Sequence, residues 1–128
     1  MRILLDTCTF LWIIAADQRL SGAALDAFRD PDNDVHLSSV SGWEISVKNA
    51  LGRLPLPEPP ERYVPAQRTA HGISPLALLE EATLREGKLP NVHRDPFDRM
   101  LVCQAIEHDM VLLTPDTDIA AYPIKTLW

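Results

Sequence analysis

Arg2-Ile3-Leu4-Leu5-Asp6-Thr7 is the stretch that decides how this chain is read. An apolar triplet running straight into a single acid reads as a buried strand that delivers one carboxylate to its carboxyl end. Open α/β sheets bind their ligands in the crevice outside that edge. Thr7 to Ala15 then reads as a helix, so strand, acid and helix follow one another without a loop. What Asp6 holds is the first functional question.

Working outward, apolar runs alternate with helical patterns. Ser21 to Arg29 begins with a capping residue and continues with good helix formers, Pro31 to Asp34 is a turn, and Val35 to Leu37 is a second short strand. A helix from about Val40 to Leu51 is closed by Gly52. Leu54-Pro55-Leu56-Pro57-Glu58-Pro59-Pro60 is too proline-rich for a helix or a central strand and reads as a stiff, exposed connection. Beyond it the pattern predicts a helix over 61–70, a brief strand over 72–74 and a helix over 76–87. Asp95 to His108 reads as a helix apolar on most sides, Met110 to Leu113 as a strand covered on both faces, and Ile124 to Leu127 as an edge strand. Strands separated by helices call for a parallel sheet with helices on both sides.

A chain of 128 residues, 46% of them hydrophobic, suffices for one well-buried core and is short for two, so a single domain spanning 1–128 is expected. The formal net charge of −6 argues against non-specific attraction to nucleic acid or an anionic membrane. It leaves open a phosphate-bearing substrate, because divalent cations bound by converging acids reverse the local sign. Cys8 and Cys103 lie in apolar segments without metal-ligand spacing, as small hydrophobes do in a reducing compartment. Asp6 interrupts the first apolar run too early for a signal peptide, and no stretch approaches the roughly 20 apolar residues of a membrane span. A cytoplasmic location and no membrane partner are therefore expected.

Asp6, Glu44, Asp98 and Asp116 all fall at strand ends or in the first turns of helices. Singly, each has a structural reading. Ser41-Gly42-Trp43-Glu44 matches a capping box, and Glu44 stands four residues before Lys48. Asp95-Pro96-Phe97-Asp98 is a strong helix start with Asp95 as N-cap, Asp95 and Arg99 are spaced to pair, and Asp116 and Asp118 are placed to cap a short final helix. Together they are harder to dismiss, because strand ends and the helix starts that follow them share one edge of a parallel sheet. Unpaired carboxylates gathered there repel one another unless cations intervene. Oxygen-only ligation suits Mg²⁺ or Mn²⁺ rather than zinc. The histidines, His36, His71, His93 and His108, lack zinc spacing and read as surface or packing residues, with His93 at the rim.

Leu4-Leu5-Asp6-Thr7, Ser41-Gly42-Trp43-Glu44-Ile45, His93-Arg94-Asp95-Pro96-Phe97-Asp98-Arg99 and Leu113-Thr114-Pro115-Asp116 resemble the signature blocks of PIN-domain ribonucleases. Among these the chain most resembles the VapC-type toxins of bacterial toxin–antitoxin pairs. The match keeps the blocks in order over essentially the whole chain, to Pro123-Ile124-Lys125-Thr126-Leu127-Trp128. The resemblance implies a three-layer α/β/α sandwich around a twisted parallel sheet and Mg²⁺- or Mn²⁺-dependent cleavage of RNA. It places Asp6, Glu44 and Asp98 as catalytic metal ligands and Asp116 as a more variable fourth. Asp95 competes with Asp98 for that place, but Asp95 already has a complete account as an N-cap. A cognate antitoxin of the VapB kind, whose tail threads the groove near the metal site, and a homodimer are implied as partners. Phe10, Leu11 and Trp12 are candidates for that groove or, more simply, for the core.

The chemistry follows from the residue types. Divalent ions acidify water for in-line attack on a phosphodiester and stabilise the charge that develops. Thr7 and Thr114 stand beside these acids, placed to orient them and to meet substrate. Arg99, with Arg94, Lys48 and Arg53, is a candidate to hold the RNA backbone, or else to neutralise the acids nearby. A receiver-type signalling module shares the length, the alternation and Mg²⁺ binding, but its middle strand should end in a phosphoacceptor Asp where this chain has Ser38-Ser39. A haloacid-dehalogenase-type phosphatase wants a second acid at the position of Cys8. A non-catalytic binding domain, whose acids only cap helices, predicts no stabilisation by Mn²⁺.

Overall fold

A computed structural model describes residues 1–128. Its elements are β1 (Arg2–Leu5), α1 (Thr7–Ala15), α2 (Gly22–Arg29), β2 (Asp34–Ser38), α3 (Ser39–Ala50), α4 (Pro60–Ala70), β3 (Ser74–Leu76), α5 (Glu80–Arg85), α6 (Pro96–His108), β4 (Val111–Leu113) and β5 (Thr126–Leu127). The five strands form one sheet in the order β3-β2-β1-β4-β5, and each neighbouring pair is parallel. The strand order of a receiver domain, 2-1-3-4-5, is different, which removes the signalling-module alternative.

β1 is the central strand. Ile3, Leu4 and Leu5 are fully buried because helices cover both faces of the sheet. Ile3 and Leu5 point to a cluster built with Phe10 and Ile13 of α1, Ala24 and Ala27 of α2, and Ile45 of α3. Leu4 points the other way, to Leu101, Val102 and Ala105 of α6 and to Met110, Ile119 and Tyr122. The alternation of one strand thus fills two cores and defines the three-layer α/β/α architecture. Truncating any of these three side chains to alanine costs about 2–5 kcal/mol.

From β1 the chain winds outward through β2 to β3, then returns through α5 and α6 to set β4 on the other flank of β1. That reversal opens a crevice at the carboxyl ends of β1 and β4. A polar tie closes the layer beneath it: buried Gln104 of α6 accepts from the hydroxyl of Ser38 at the end of β2 and donates to the Ala77 carbonyl at 3.3 Å. No helix is long and apolar enough to cross a membrane.

Among the boundaries that differ from those the sequence predicts, four stand out. α3 begins at Ser39, because the Ser38 hydroxyl takes the first free amide, Val40 N, at 3.0 Å. β3 pairs over 74–76 rather than 72–74, since Gly72 adopts φ +67° to end the turn after α4, and Pro75 is tolerated because β3 is an edge strand. The helix expected over 76–87 contracts to α5 plus a 3₁₀ turn at Glu86–Lys88. Asp109, in the left-handed region at φ 50°, closes α6, so β4 starts at Val111 rather than Met110.

Candidate active site

Leu5 and Leu113 are register partners, so the residues that follow them, Asp6 and Thr114, emerge side by side at the crevice. Asp6 is only 4% exposed. Its Oδ1 accepts from Thr9 N at 2.8 Å, capping α1, and its Oδ2 accepts from the Thr114 hydroxyl at 2.5 Å. Thr114 Oγ1 in turn accepts from Asp116 N at 3.1 Å, which ties the start of the 114–118 segment to the same carboxylate. Oδ2 keeps a second lone pair for a cation, while Oδ1 also accepts from the Cys8 thiol. Cys8 leans on the site, with Sγ 3.4 Å from Asp6 Oδ1, and burial followed by the Asp6 charge pushes its thiol up to about 12. It is an inert thiol, as expected of a packing residue.

Glu44 does not form the capping box its spacing suggests. Because α3 starts two residues before Ser41, Glu44 lies well inside the helix and turns toward α1. Its Oε1 lies 2.7 Å from Thr7 Oγ1, which also lies 2.9 Å from Ser41 Oγ. A hydroxyl has one proton, so Thr7 donates to the carboxylate and accepts from Ser41. The other oxygen, Oε2, pairs with Lys48 Nζ. Bonding to Glu44 raises the Lys48 pKa against the opposing effect of burial, and the charges of Glu44, Asp95 and Asp98 add to it. A protein ammonium thus stands where the acids attract positive charge.

Asp95 and Asp98 have separate tasks. Asp95 Oδ1 caps α6, accepting from Phe97 N at 2.8 Å and Asp98 N at 3.4 Å. Asp98, one turn in, joins His93 and Asp116: one ligand atom of each lies within 4.8 Å of the others. His93 Nε2 is 3.0 Å from Asp116 Oδ2 and 3.3 Å from Asp98 Oδ2. Burial pushes the Asp98 carboxyl up to about 7, and the charges of Asp95, Glu44 and Asp6 push the same way. Burial alone would lower the His93 pKa, but the Asp116 hydrogen bond and the Asp98, Asp116 and Asp95 charges outweigh it and raise it. Trp43 of α3 meets Phe97 of α6 edge-on, centroids 4.8 Å apart, pinning together the helices that carry Glu44 and Asp98.

Arg99 is a correction. Only 8% exposed, it donates from Nε to Glu86 Oε1 at 2.5 Å, from Nη1 to the Pro90 carbonyl at 2.9 Å and to Tyr122 Oη at 3.2 Å, and from Nη2 to the Glu86 carbonyl at 3.1 Å. A guanidinium so fully engaged supports the segment ahead of α6 and is not free to meet a phosphate, nor does it pair with Asp95. Thr7 and Thr114 are likewise buried, and their hydroxyls are turned onto acids rather than outward. Arg53 and Arg94 are exposed. His93 and Arg94 line a groove of about 410 Å³ beside the acids. A cavity of about 740 Å³ lies among Arg2, Met110 and Lys125, at the opposite edge of the sheet. Of the proposed groove residues, Phe10 is fully buried core, while Leu11 and Trp12 are half-buried.

His93, expected at the rim, sits among the acids instead. The sequence signal was its spacing: two residues before the α6 N-cap is close enough for its ring to fold back over the first turn. The donor set as a whole is oxygen-rich and anionic, with Lys48 as the counter-charge, and it fits a hard divalent cation.

Comparison with known proteins gives relatives in sequence and in fold. Ribonuclease VapC16 of Mycobacterium tuberculosis is 41% identical over 64 residues, 47% of this chain and 45% of that protein, so the alignment spans less than half of that relative. Ribonuclease VapC22 of the same organism is 27% identical over 121 residues, 94% of this chain and 91% of that protein. In the crystal structure of VapBC2 from Rickettsia felis bound to a DNA fragment from their promoter, one chain superposes with a TM-score of 0.73 at 12% identity, covering 99% of this chain and 98% of that one. At that identity the likeness shows the fold. The PIN domain family profile matches residues 3–125, and the chain belongs to the PIN domain family.

Proposed function

We propose that this protein is a metal-dependent endoribonuclease, the toxin of a toxin–antitoxin pair, that hydrolyses RNA phosphodiester bonds in the cytoplasm. What supports the reading is that Asp98 stands within ligand distance of Asp116 and feels the charges of Asp6 and Glu44 at the same edge of the sheet, although Asp6 and Glu44 lie outside that tight cluster. Asp6, Glu44 and Asp98 would hold Mg²⁺ or Mn²⁺, with Asp116 bound directly or through water. When bound, the ion acidifies water and offsets the charge of the phosphate under attack.

The remaining work belongs to the chain. Thr114 and Thr9 fix both oxygens of Asp6, and Thr7 aims Glu44, so these carboxylates need no reorganisation when a cation arrives. Lys48, 44% exposed at its side chain, neutralises Glu44 and can swing to a phosphate once a cation takes its place. Arg53 and Arg94, free at the surface, are the side chains that would track the RNA backbone. A VapB-like antitoxin and a second copy of this chain complete the proposed partners. Of the α1 residues considered for the antitoxin, Leu11 packs against the core and Trp12 lies against Trp128 and beneath Arg19, so Trp12 is the one that a partner would meet.

The test is cleavage of mixed cellular RNA by purified, antitoxin-free protein in Mg²⁺ or Mn²⁺, in chelator, and with Asp6→Asn alongside. Metal-dependent cleavage lost in the variant supports the reading. Cleavage that survives either chelation or the substitution refutes it.

A further inference from the structure

We infer that His93 is a positioning residue that donates its Nε2–H to Asp116 beside Asp98, and that it is not itself a metal ligand. The assignment rests on the nuclease reading above for its consequence, but on hydrogen-bond geometry for its content.

The ring is fixed at its far nitrogen. Asp95 N lies 3.1 Å from His93 Nδ1. A backbone amide can only donate, so Nδ1 must present its lone pair, and the proton of the neutral ring is on Nε2. That Nε2–H is donated to Asp116 Oδ2 at 3.0 Å, and Asp98 Oδ2 stands 3.3 Å from the same nitrogen as a charge contact. A nitrogen that carries its proton has no lone pair for a cation, although its distance from the acids alone would allow ligation.

The backbone of His93 is fixed as firmly as its ring. Its amide donates to Tyr122 Oη at 2.9 Å, and its carbonyl accepts from Arg99 Nη1 at 3.4 Å. Arg99 also donates to Tyr122 Oη, so one buried guanidinium braces both supports. Arg99 follows Asp98 directly on α6, which couples the height of the histidine to that of the acid it serves. The Asp116 carboxylate has its other oxygen engaged as well, Oδ1 accepting from Asp118 N at 2.9 Å. His93 therefore sets the spacing of the two acids that lie on neither β1 nor α3. Without it, only the 114–118 turn would hold Asp116 in register.

The experiment reads the tautomer and the metal separately. In ¹⁵N-labelled, chelator-treated protein, long-range ¹H–¹⁵N spectra, assigned with His93→Gln, should show His93 with protonated Nε2 and unprotonated Nδ1. Titrating Mg²⁺ should leave that pattern unchanged. Calorimetry with Mn²⁺ should show His93→Ala binding about 10-fold more weakly, as loss of an outer-shell partner does. His93→Gln, whose amide can reach the same place, should restore affinity to within about 3-fold. Cleavage by His93→Ala should fall in kcat with KM for RNA unchanged. An Nδ1–H tautomer, loss of the Nε2 proton on adding Mg²⁺, or unaltered Mn²⁺ affinity in a folded His93→Ala protein would each overturn the assignment. A rise in KM alone would do so too. Should the wild-type protein bind metal but cut no RNA, the nuclease reading fails while the tautomer and affinity results still judge His93.

Discussion

Replacing Asp98 by Asn should stabilise the protein when no metal is present. Its carboxyl is moved from an ordinary value of 3.8 to about 7 by burial and by the charges of Asp95, Glu44 and Asp6. At 1.36 kcal/mol for each pH unit, the cost of ionising Asp98 in the folded protein is bounded at about 4 kcal/mol. The carboxyl is partly open to solvent, and screening reduces this to about 2 kcal/mol. Between pH 3.8 and about 7 the folded protein holds a proton that the unfolded chain has released, so stability falls as pH rises through that window. The raised pKa of His93 acts in the same direction. Asp98→Asn keeps the shape of the side chain and removes the charge. In chelator at pH 8 it should melt above the parent by roughly 8 °C, at about 4 °C per kcal/mol for a chain of this size. At pH 5 the difference should shrink to under about 1 kcal/mol, and saturating Mn²⁺ should reverse it, because only the parent keeps its full ligand set. The assay is thermal or urea unfolding followed by circular dichroism from pH 5 to 8. Equal stability of the two proteins at pH 8, with no pH dependence in their difference, would refute the idea that Asp98 is held in an anionic cluster.

Other substitutions separate site from scaffold. Asp6→Asn, which keeps an oxygen for the Thr9 amide, should abolish cleavage yet melt within a few degrees of the parent, whereas Asp6→Ala should lose about 1 kcal/mol with the cap. Arg99→Ala should cost about 1–3 kcal/mol in urea unfolding by leaving the Pro90 and Glu86 carbonyls without a donor, the partly exposed Glu86 carboxylate being screened by water. Arg99→Lys should recover only part of this, since an ammonium cannot reproduce the fork; a stable Arg99→Ala protein with weakened RNA binding would instead return Arg99 to the substrate path. Lys48→Gln should tighten Mn²⁺ binding up to about 5-fold in calorimetry, because a competing exposed cation is worth at most about 1 kcal/mol. Weaker Mn²⁺ binding in that variant would show that Lys48 supports the metal rather than competing with it.

Much of the fold was legible because a parallel sheet writes itself into short apolar runs separated by helices. Asp6 was legible for the same reason: a lone acid after a fully buried strand has few places to be. Glu44 was visible as a candidate ligand, but from sequence alone the capping box with Ser41 explained it equally well. The choice between Ser38 and Ser41 as cap depends on where β2 stops pairing with its neighbours, and that is a tertiary fact. Arg99 looked like a surface cation because its partners, Glu86, Pro90 and Tyr122, return to it from distant turns of the chain. Gly72 marked a boundary, but only its positive φ shows that the residue ends a turn rather than opening a strand.

The route of the chain through the sheet also has a consequence in time. β1 is made first among the strands, yet its β4 neighbour, with Thr114 and Asp116 behind it, is nearly the last segment to be made. A nascent chain on the ribosome carries Asp6 without the hydroxyl that aims it, and a central strand with one edge still open. On the nuclease reading proposed above, such a chain would lack two of its site residues until synthesis is almost finished, an interval in which the proposed antitoxin could arrive before the first cut.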